Sequence, residues 1–271
     1  MNWGRIKTIL IILFLFTDIF LALIIFNSNK KETSVSPEVI DAAVEILNSH
    51  GISIDKSVIP SKIPSAPILQ ADNVITDYDE FAKKLLGAEF TINGSTYSSA
   101  DAKLTFTGDT FTFESEKKPA PSKNAAQNKI EKATFSRLKK LGFDVSDAKA
   151  VSVSIENGTC KIKIRDYYKK MPVFSSEINV VATENDIISL YGCWYNRRSS
   201  GQSNLLKSTA AILVDFAPKY DGDTPAKISS TELGYSAFDI ETYHKSASLI
   251  PVNRIRLDSG KEYFMDARAE E

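Results

Sequence analysis

Few side chains in this sequence have the types and spacings that could do chemistry. The two histidines, His50 and His244, stand far apart, and no HExxH or CxxC spacing accompanies them, so both read as structural or solvated groups. No GxGxxG, phosphate loop or GxSxG elbow occurs. Carboxylates are abundant, 34 in all, yet nothing in their spacing selects the facing pair that a glycoside hydrolase needs. The chain is therefore expected not to be an enzyme, and to require no cofactor, metal or small-molecule substrate. Cys160 and Cys193 are the only thiols. Both are expected to remain unbridged, because they fall at opposite ends of a strand meander, beyond the 4.4–6.8 Å between Cα atoms that a disulfide tolerates.

Contact chemistry is better represented. Lys161, Lys163 and Arg165 alternate on one strand face opposite Ile162 and Ile164, with Lys169, Lys170, Arg197 and Arg198 close by. Such a face is either a solvated exterior or a docking patch for an acidic partner or an anionic wall polymer. A net charge of −1, from 33 basic and 34 acidic residues, argues against nucleic acid.

One acid stands where acids are expensive. The run Thr8 to Phe26, TILIILFLFTDIFLALIIF, has Asp18 near its centre. At about 1.5 Å per residue the run just crosses a hydrocarbon core of roughly 30 Å. No Ala-x-Ala pattern follows it at Phe26-Asn27-Ser28-Asn29, so residues 8–26 are expected to form an uncleaved transmembrane helix. Residues 1–7 would be a cytoplasmic tail and the remainder extracytoplasmic, although Arg5 and Lys7 on one side nearly balance Lys30 and Lys31 on the other. An aspartate inside such a helix costs on the order of 2.5–3.5 kcal/mol. Asp18 shares a helical face with Phe14, Leu15 and Ala22, and a small residue one turn away lets another backbone approach. The acid then either contacts a partner helix, or is protonated and bonded locally, to its own backbone or to Thr17.

The elements that must carry these residues follow from pattern. Ser36 and Pro37 start a helix whose apolar face is Val39, Ala43, Ile46 and Leu47, ending at Gly51 before an extended Ile52 and Ile54. A second helix spans Thr76 to Leu86 with Gly87 closing it, and AKLTFTGDTFTFES is a hairpin about Gly108-Asp109. The charged, proline-rich stretch 116–124 reads as a linker between an α+β module at 34–115 and a larger α+β region at 125–271. Beyond it a helix ends at Gly142, and Leu138, Gly142, Phe143 and Val145 repeat Leu47, Gly51, Ile52 and Ile54 at an offset of 91. A four-strand meander follows, turning at Asn157-Gly158 and around Glu184-Asn185-Asp186; then come a helix, STAAILVDFA, and strands folding back at Asp258-Ser259-Gly260. The fold class is α+β, with antiparallel sheets each packed against a helix in repeated modules.

Three stretches, in order, resemble one family. They are MNWGRIKTILIILFLFTDIFLALIIF, then YYKKMPVFSSEINVVATENDIISLYGCWY, then ELGYSAF followed by LIPVNRIRLDSGKEYFMDA. This order is similar to the YycI/YycH (WalI/WalH) regulators of Gram-positive bacteria, nearer the YycI branch. The resemblance implies a single-pass membrane protein with an extracytoplasmic α+β region. It also implies association with the sensor histidine kinase YycG/WalK, which controls cell-wall metabolism, and with a YycH-like protein. Asn253 departs from the family, which tends to have tryptophan there, and the sequence after Ala267 is short and acidic. A reading from a different class is an envelope module that binds a ligand or peptide without a kinase.

Overall fold

The computed structural model describes Lys7, Phe14, Leu15 and residues 17–20, then 34–116, 127–156, 159–237 and 245–269. Phe14, Leu15 and Asp18 are helical and exposed. Most of 8–26 lies outside the described residues, as do Ala22, the linker beyond Glu116, the Asn157-Gly158 turn and His244. Among the described residues, no helix is long and apolar enough to cross a membrane.

The helices begin and end where local chemistry directs. Helix α1, Pro37–Ser49, has proline in its first turn, and Gly51 at φ +73° follows its end. Helix α2, Tyr78–Leu86, is capped by Asp77, whose carboxylate accepts the Glu80 N–H at 2.9 Å, and Gly87 closes it. Helix α3, Gln127–Leu141, buries Ile130, Thr134 and Leu138. Helix α4, Thr209–Phe216, is capped by the Ser208 hydroxyl, which accepts the Ala211 N–H at 3.1 Å. The expected face of α1 is narrower than its pattern: Ala43 and Leu47 are buried, whereas Val39 and Ile46 are exposed. Only the stripe that meets α4 and the strand after Gly51 is covered.

The chain forms two compact units. The first comprises Met1–Ser65, Leu205–Thr231 and Ile255–Glu271; the second comprises Ala66–Asn204 and Glu232–Arg254. In the first unit, strand β1, Ile52–Ile54, pairs in parallel with residues 226–228. Its core includes Leu47, Ile52, Leu213, Phe216 and Ile228.

The second unit holds most of the strands. After strands β2 (Ser65–Ala66), β3 (Leu69–Asn73), β4 (Thr91–Asn93) and β5 (Thr96–Ser98), a hairpin of β6, Ala102–Thr107, and β7, Thr110–Ser115, turns at Gly108-Asp109 as its sequence predicts. The expected meander is present as β8 (Lys149–Glu156), β9 (Thr159–Tyr168), β10 (Met171–Ala182) and β11 (Ile187–Cys193), antiparallel throughout. Phe81, Phe111, Phe143 and Trp194 anchor its core, with Phe81 and Phe111 edge-on at 5.1 Å and Phe143 and Trp194 at 5.9 Å.

Three sequence expectations need correction. Stretch 116–124 does not separate two modules, because β7 before it zips antiparallel onto β11 after it, inside one unit. The sheet pairing is mixed rather than antiparallel: besides β1, β10 pairs in parallel with β14, Ala226–Ala237, where Val173 meets Tyr235. The 91-residue repeat extends only to a helix with a buried leucine and a positive-φ glycine. Residues 143–145 form no strand, and Phe143 turns into the aromatic core instead.

One glycine is demanded by close approach. Gly192 in β11 has φ +145°, and a Cβ there would lie 2.2 Å from the Glu177 carbonyl oxygen and 2.9 Å from Ile178 Cα. Backbone atoms of a central strand cannot yield as a flexible side chain would. Gly192→Ala should therefore destabilise the chain by roughly 2–4 kcal/mol. The check is the urea midpoint of the detergent-solubilised full chain, and an unchanged midpoint would contradict the close approach.

Candidate functional site

The candidate surface of the second unit is built on the register of β10. Ile178, Val180 and Ala182 point into the core, which leaves Glu177 and Asn179 on the other face. Pairing sets Lys161 opposite Val181, Lys163 opposite Asn179 and Arg165 opposite Glu177. The expected basic patch is thus a ladder of ion pairs. Lys161 meets Glu156 at 2.7 Å, Lys163 meets one Glu177 oxygen at 2.6 Å, and Arg165 takes the other through Nε at 2.8 Å. Arg165 is buried and lies 5.5 Å from the Phe174 ring centre, while Arg254 lies 4.7 Å from the same centre and pairs with Glu232. Lys169 and Lys170 form the two-residue turn between β9 and β10, with φ +46° and +75°, the left-handed pair a tight hairpin needs. Lys169 also lies 5.3 Å from the centre of the Tyr168 ring.

Arg197 and Arg198 stand on strand β12, Tyr195–Ser200. Arg197 donates to Asp166 from Nε at 3.0 Å and to Asp147 at 2.8 Å; Arg198 meets Asp72 at 2.8 Å. Asp166 is almost wholly buried, and burial pushes its carboxyl up to about 6, although Arg197 pulls in the opposite direction. Of the residues expected to meet a membrane partner, Phe14, Leu15 and Asp18 share an exposed helical segment, and Ala22 lies outside the described residues.

A group that sequence reading missed lies at the other end of the same face. The sequence marks Gly108-Asp109 only as a hairpin turn, but Asp109 is buried. Its carboxylate accepts the Tyr195 hydroxyl, and its backbone carbonyl accepts Asn73 Nδ2 at 3.4 Å. The Tyr195 N–H in turn donates to Ser176 Oγ at 3.0 Å. Beside this network is an open hollow of about 520 Å³, lined by Asp109, Thr107, Thr110, Ser175, Asn179 and Tyr191, among others. Burial, and then the Asp109 charge, push the Cys193 thiol at its wall up to about 12. Burial likewise raises the Tyr195 phenol. Both groups stay protonated at neutral pH. No local signal marks this burial, because aspartate is an ordinary turn residue and the group that buries it, Tyr195, lies 86 positions away.

No protein-family model matches the chain, and no curated protein matches it in sequence. Among solved structures, an uncharacterized protein from Eubacterium rectale ATCC 33656 is similar over 84% of this chain and 97% of its own. Its identity is 11% and its TM-score 0.46. The Bacillus megaterium YpeB C-terminal domain is similar over 71% of this chain and 92% of its own, at 9% identity and TM-score 0.32.

Two outcomes follow from this geometry. Cys160 pairs with Ala182 and Cys193 with Glu177, five positions apart along β10 and so about 17 Å, too far to bridge. Alkylation of the native chain without reductant, read by mass spectrometry, should leave both thiols unmodified until unfolding and then label both. A Cys160–Cys193 bridge would refute the strand order. The second outcome concerns Asp166. Its folded-state carboxyl lies above its ordinary value of 3.8, so the folded chain holds a proton that the unfolded chain releases. That contribution is complete below about pH 4 and is lost as pH rises through about 6. Removing it in Asp166→Asn should make stability rise more steeply, or fall less, with pH between 4 and 6. Parallel pH profiles of the two urea midpoints would show that Asp166 titrates normally.

Proposed function

We propose that this chain is a membrane-anchored extracytoplasmic regulator. It acts by contact on a sensor histidine kinase of the YycG/WalK kind, within a two-component system that controls cell-wall metabolism. The resemblance to the YycI/YycH proteins supplies the kinase and a YycH-like companion. The observation that carries the contact mechanism is Asp18, an acid in an otherwise apolar run that precedes a folded α+β region. In a lone lipid-facing helix the acid is a pure cost; a partner with its own membrane helices gives it somewhere to bond. The chemistry of the folded region is consistent with this. Its buried or half-buried charges at Arg165, Asp166, Glu177 and Arg197 are held by fixed partners, and its Cys193 thiol is kept protonated.

The test is co-purification of the kinase with three versions of the full chain at matched membrane abundance. Asp18→Leu should insert at least as well as the native chain, since it removes a desolvation cost of a few kcal/mol. It should also weaken the kinase complex roughly three- to twentyfold, the span of hydrogen bonds between membrane helices. Asp18→Asn keeps a hydrogen-bonding group and should retain most of the association. Equal recovery with all three would make the acid a locally satisfied group and remove the helix contact from this reading.

A further inference from the structure

We infer that the hollow beside Asp109 is a binding site for a linear, neutral oligosaccharide of pyranose sugars. This does not rest on the kinase reading. The hollow's volume of about 520 Å³ falls in the ~300–1,000 Å³ range of small-molecule sites. Tyr191 lies at its edge and is 50% exposed, so an aromatic side chain there is half open to water. Such a face suits the C–H side of a sugar ring, which is apolar and flat. Around it stand groups that hydrogen-bond without charge: the hydroxyls of Thr107, Thr110 and Ser175 and the amide of Asn179.

Charge selects against other ligand classes. The carboxylates bordering the hollow are Asp109 and Glu177. Glu177 is held by Lys163 and Arg165, and Asp109 receives the Tyr195 hydroxyl. Two anions and two cations leave no net field to attract a polyamine or a polyanion. What remains is a ligand that presents many hydroxyls and one apolar face.

The register of the sheet adds a reason for a chain rather than a single sugar. Lys163 stands opposite Asn179, Asn179 opposite Tyr191, Tyr191 opposite Thr112, Thr112 opposite Thr105, and Thr105 opposite Thr96. This cross-strand row runs from β9 to β5, Thr96–Ser98. Five inter-strand steps make it about 24 Å long. Its threonines are on the face opposite buried Leu104, Phe111 and Phe113, and the Thr96 and Thr105 hydroxyls lie 3.3 Å apart. The row continues the hydroxyl lining of the hollow across the sheet, so an extended glycan can follow it while one ring stacks on Tyr191.

The experiment is calorimetric titration of the full chain, held in a detergent without a sugar headgroup, with chitohexaose, cellohexaose and chitobiose. At least one hexasaccharide should bind with a Kd of roughly 0.1–1 mM, and chitobiose should bind at least about tenfold more weakly. The ratio between the two hexasaccharides reports whether N-acetyl groups are read. Tyr191→Ala should weaken hexasaccharide binding roughly three- to tenfold, Tyr191→Phe should restore it, and Val39→Ala in the other unit should leave it unchanged. No heat with either hexasaccharide at 10 mM ligand (about ten times the weakest expected Kd) would overturn the assignment. So would equal affinity in Tyr191→Ala, or a preference for spermine or polyglutamate over both sugars.

Discussion

Register along β10 is the constraint on which the second unit depends. Side chains on a strand alternate faces, so a slip of one residue would carry Glu177 and Asn179 into the core and bring Ile178 and Val180 out. The slip is blocked on several sides. A bulge between Val173 and Glu177 absorbs the change of partners along β9. Gly192 admits the Glu177 carbonyl where no other residue could. Ala182, Val180 and Ile178 fill positions against α3 and β9 that charged groups could not occupy without partners. The ion-pair ladder, the buried Asp109 network and the hydroxyl row are consequences of that single alignment.

The same alignment explains why a strand rich in lysine and arginine does not create a strongly positive surface. Each cation on β9 finds a carboxylate one strand away or at the hairpin end, and the aromatic rings of Phe174 and Tyr168 take up the flanks of the guanidinium groups. Exposed pairs such as Lys161–Glu156 contribute little to stability. Arg197 is different, because it holds a buried carboxylate whose isolation would be costly. The arrangement spreads charge over the sheet while keeping its local sum near zero.

Local chemistry in the sequence is enough to locate the four helices described beyond residue 34, the hairpin at Gly108-Asp109 and the order of the meander. Caps, positive-φ glycines and period-two alternation act within a few residues, and those signals survive folding. The parallel pairing of β1 with β14 was not legible, because Ile52 and Ile54 pattern equally well for either strand direction. The zipper of β7 onto β11 crosses a charged, proline-rich stretch that imitates a domain boundary. At the site, the cations on β9 were visible by alternation, whereas their carboxylate partners were not. Asp109 was read only as a turn residue, since its burial depends on Tyr195, 86 positions away. Helix α1 shows the converse: its pattern overstates the core, because Val39 and Ile46 belong to the apolar stripe yet stay exposed among the described residues.

The discontinuity of the first unit has a consequence for how the chain is made. Ser53 on β1 bonds through its hydroxyl to the carbonyl of Ala226, 173 positions later, and α1 packs against α4, which is also made late. At ribosomal speeds of about 5–20 residues per second, the early segment waits on the order of ten to thirty seconds for its partners. The second unit, by contrast, has its hairpin and meander complete by residue 200 and closes with the late strands β14 and β15, the latter Ser246–Leu257. The earlier-made part of the first unit is therefore finished late, and the apolar face of α1 waits for its cover in the interval.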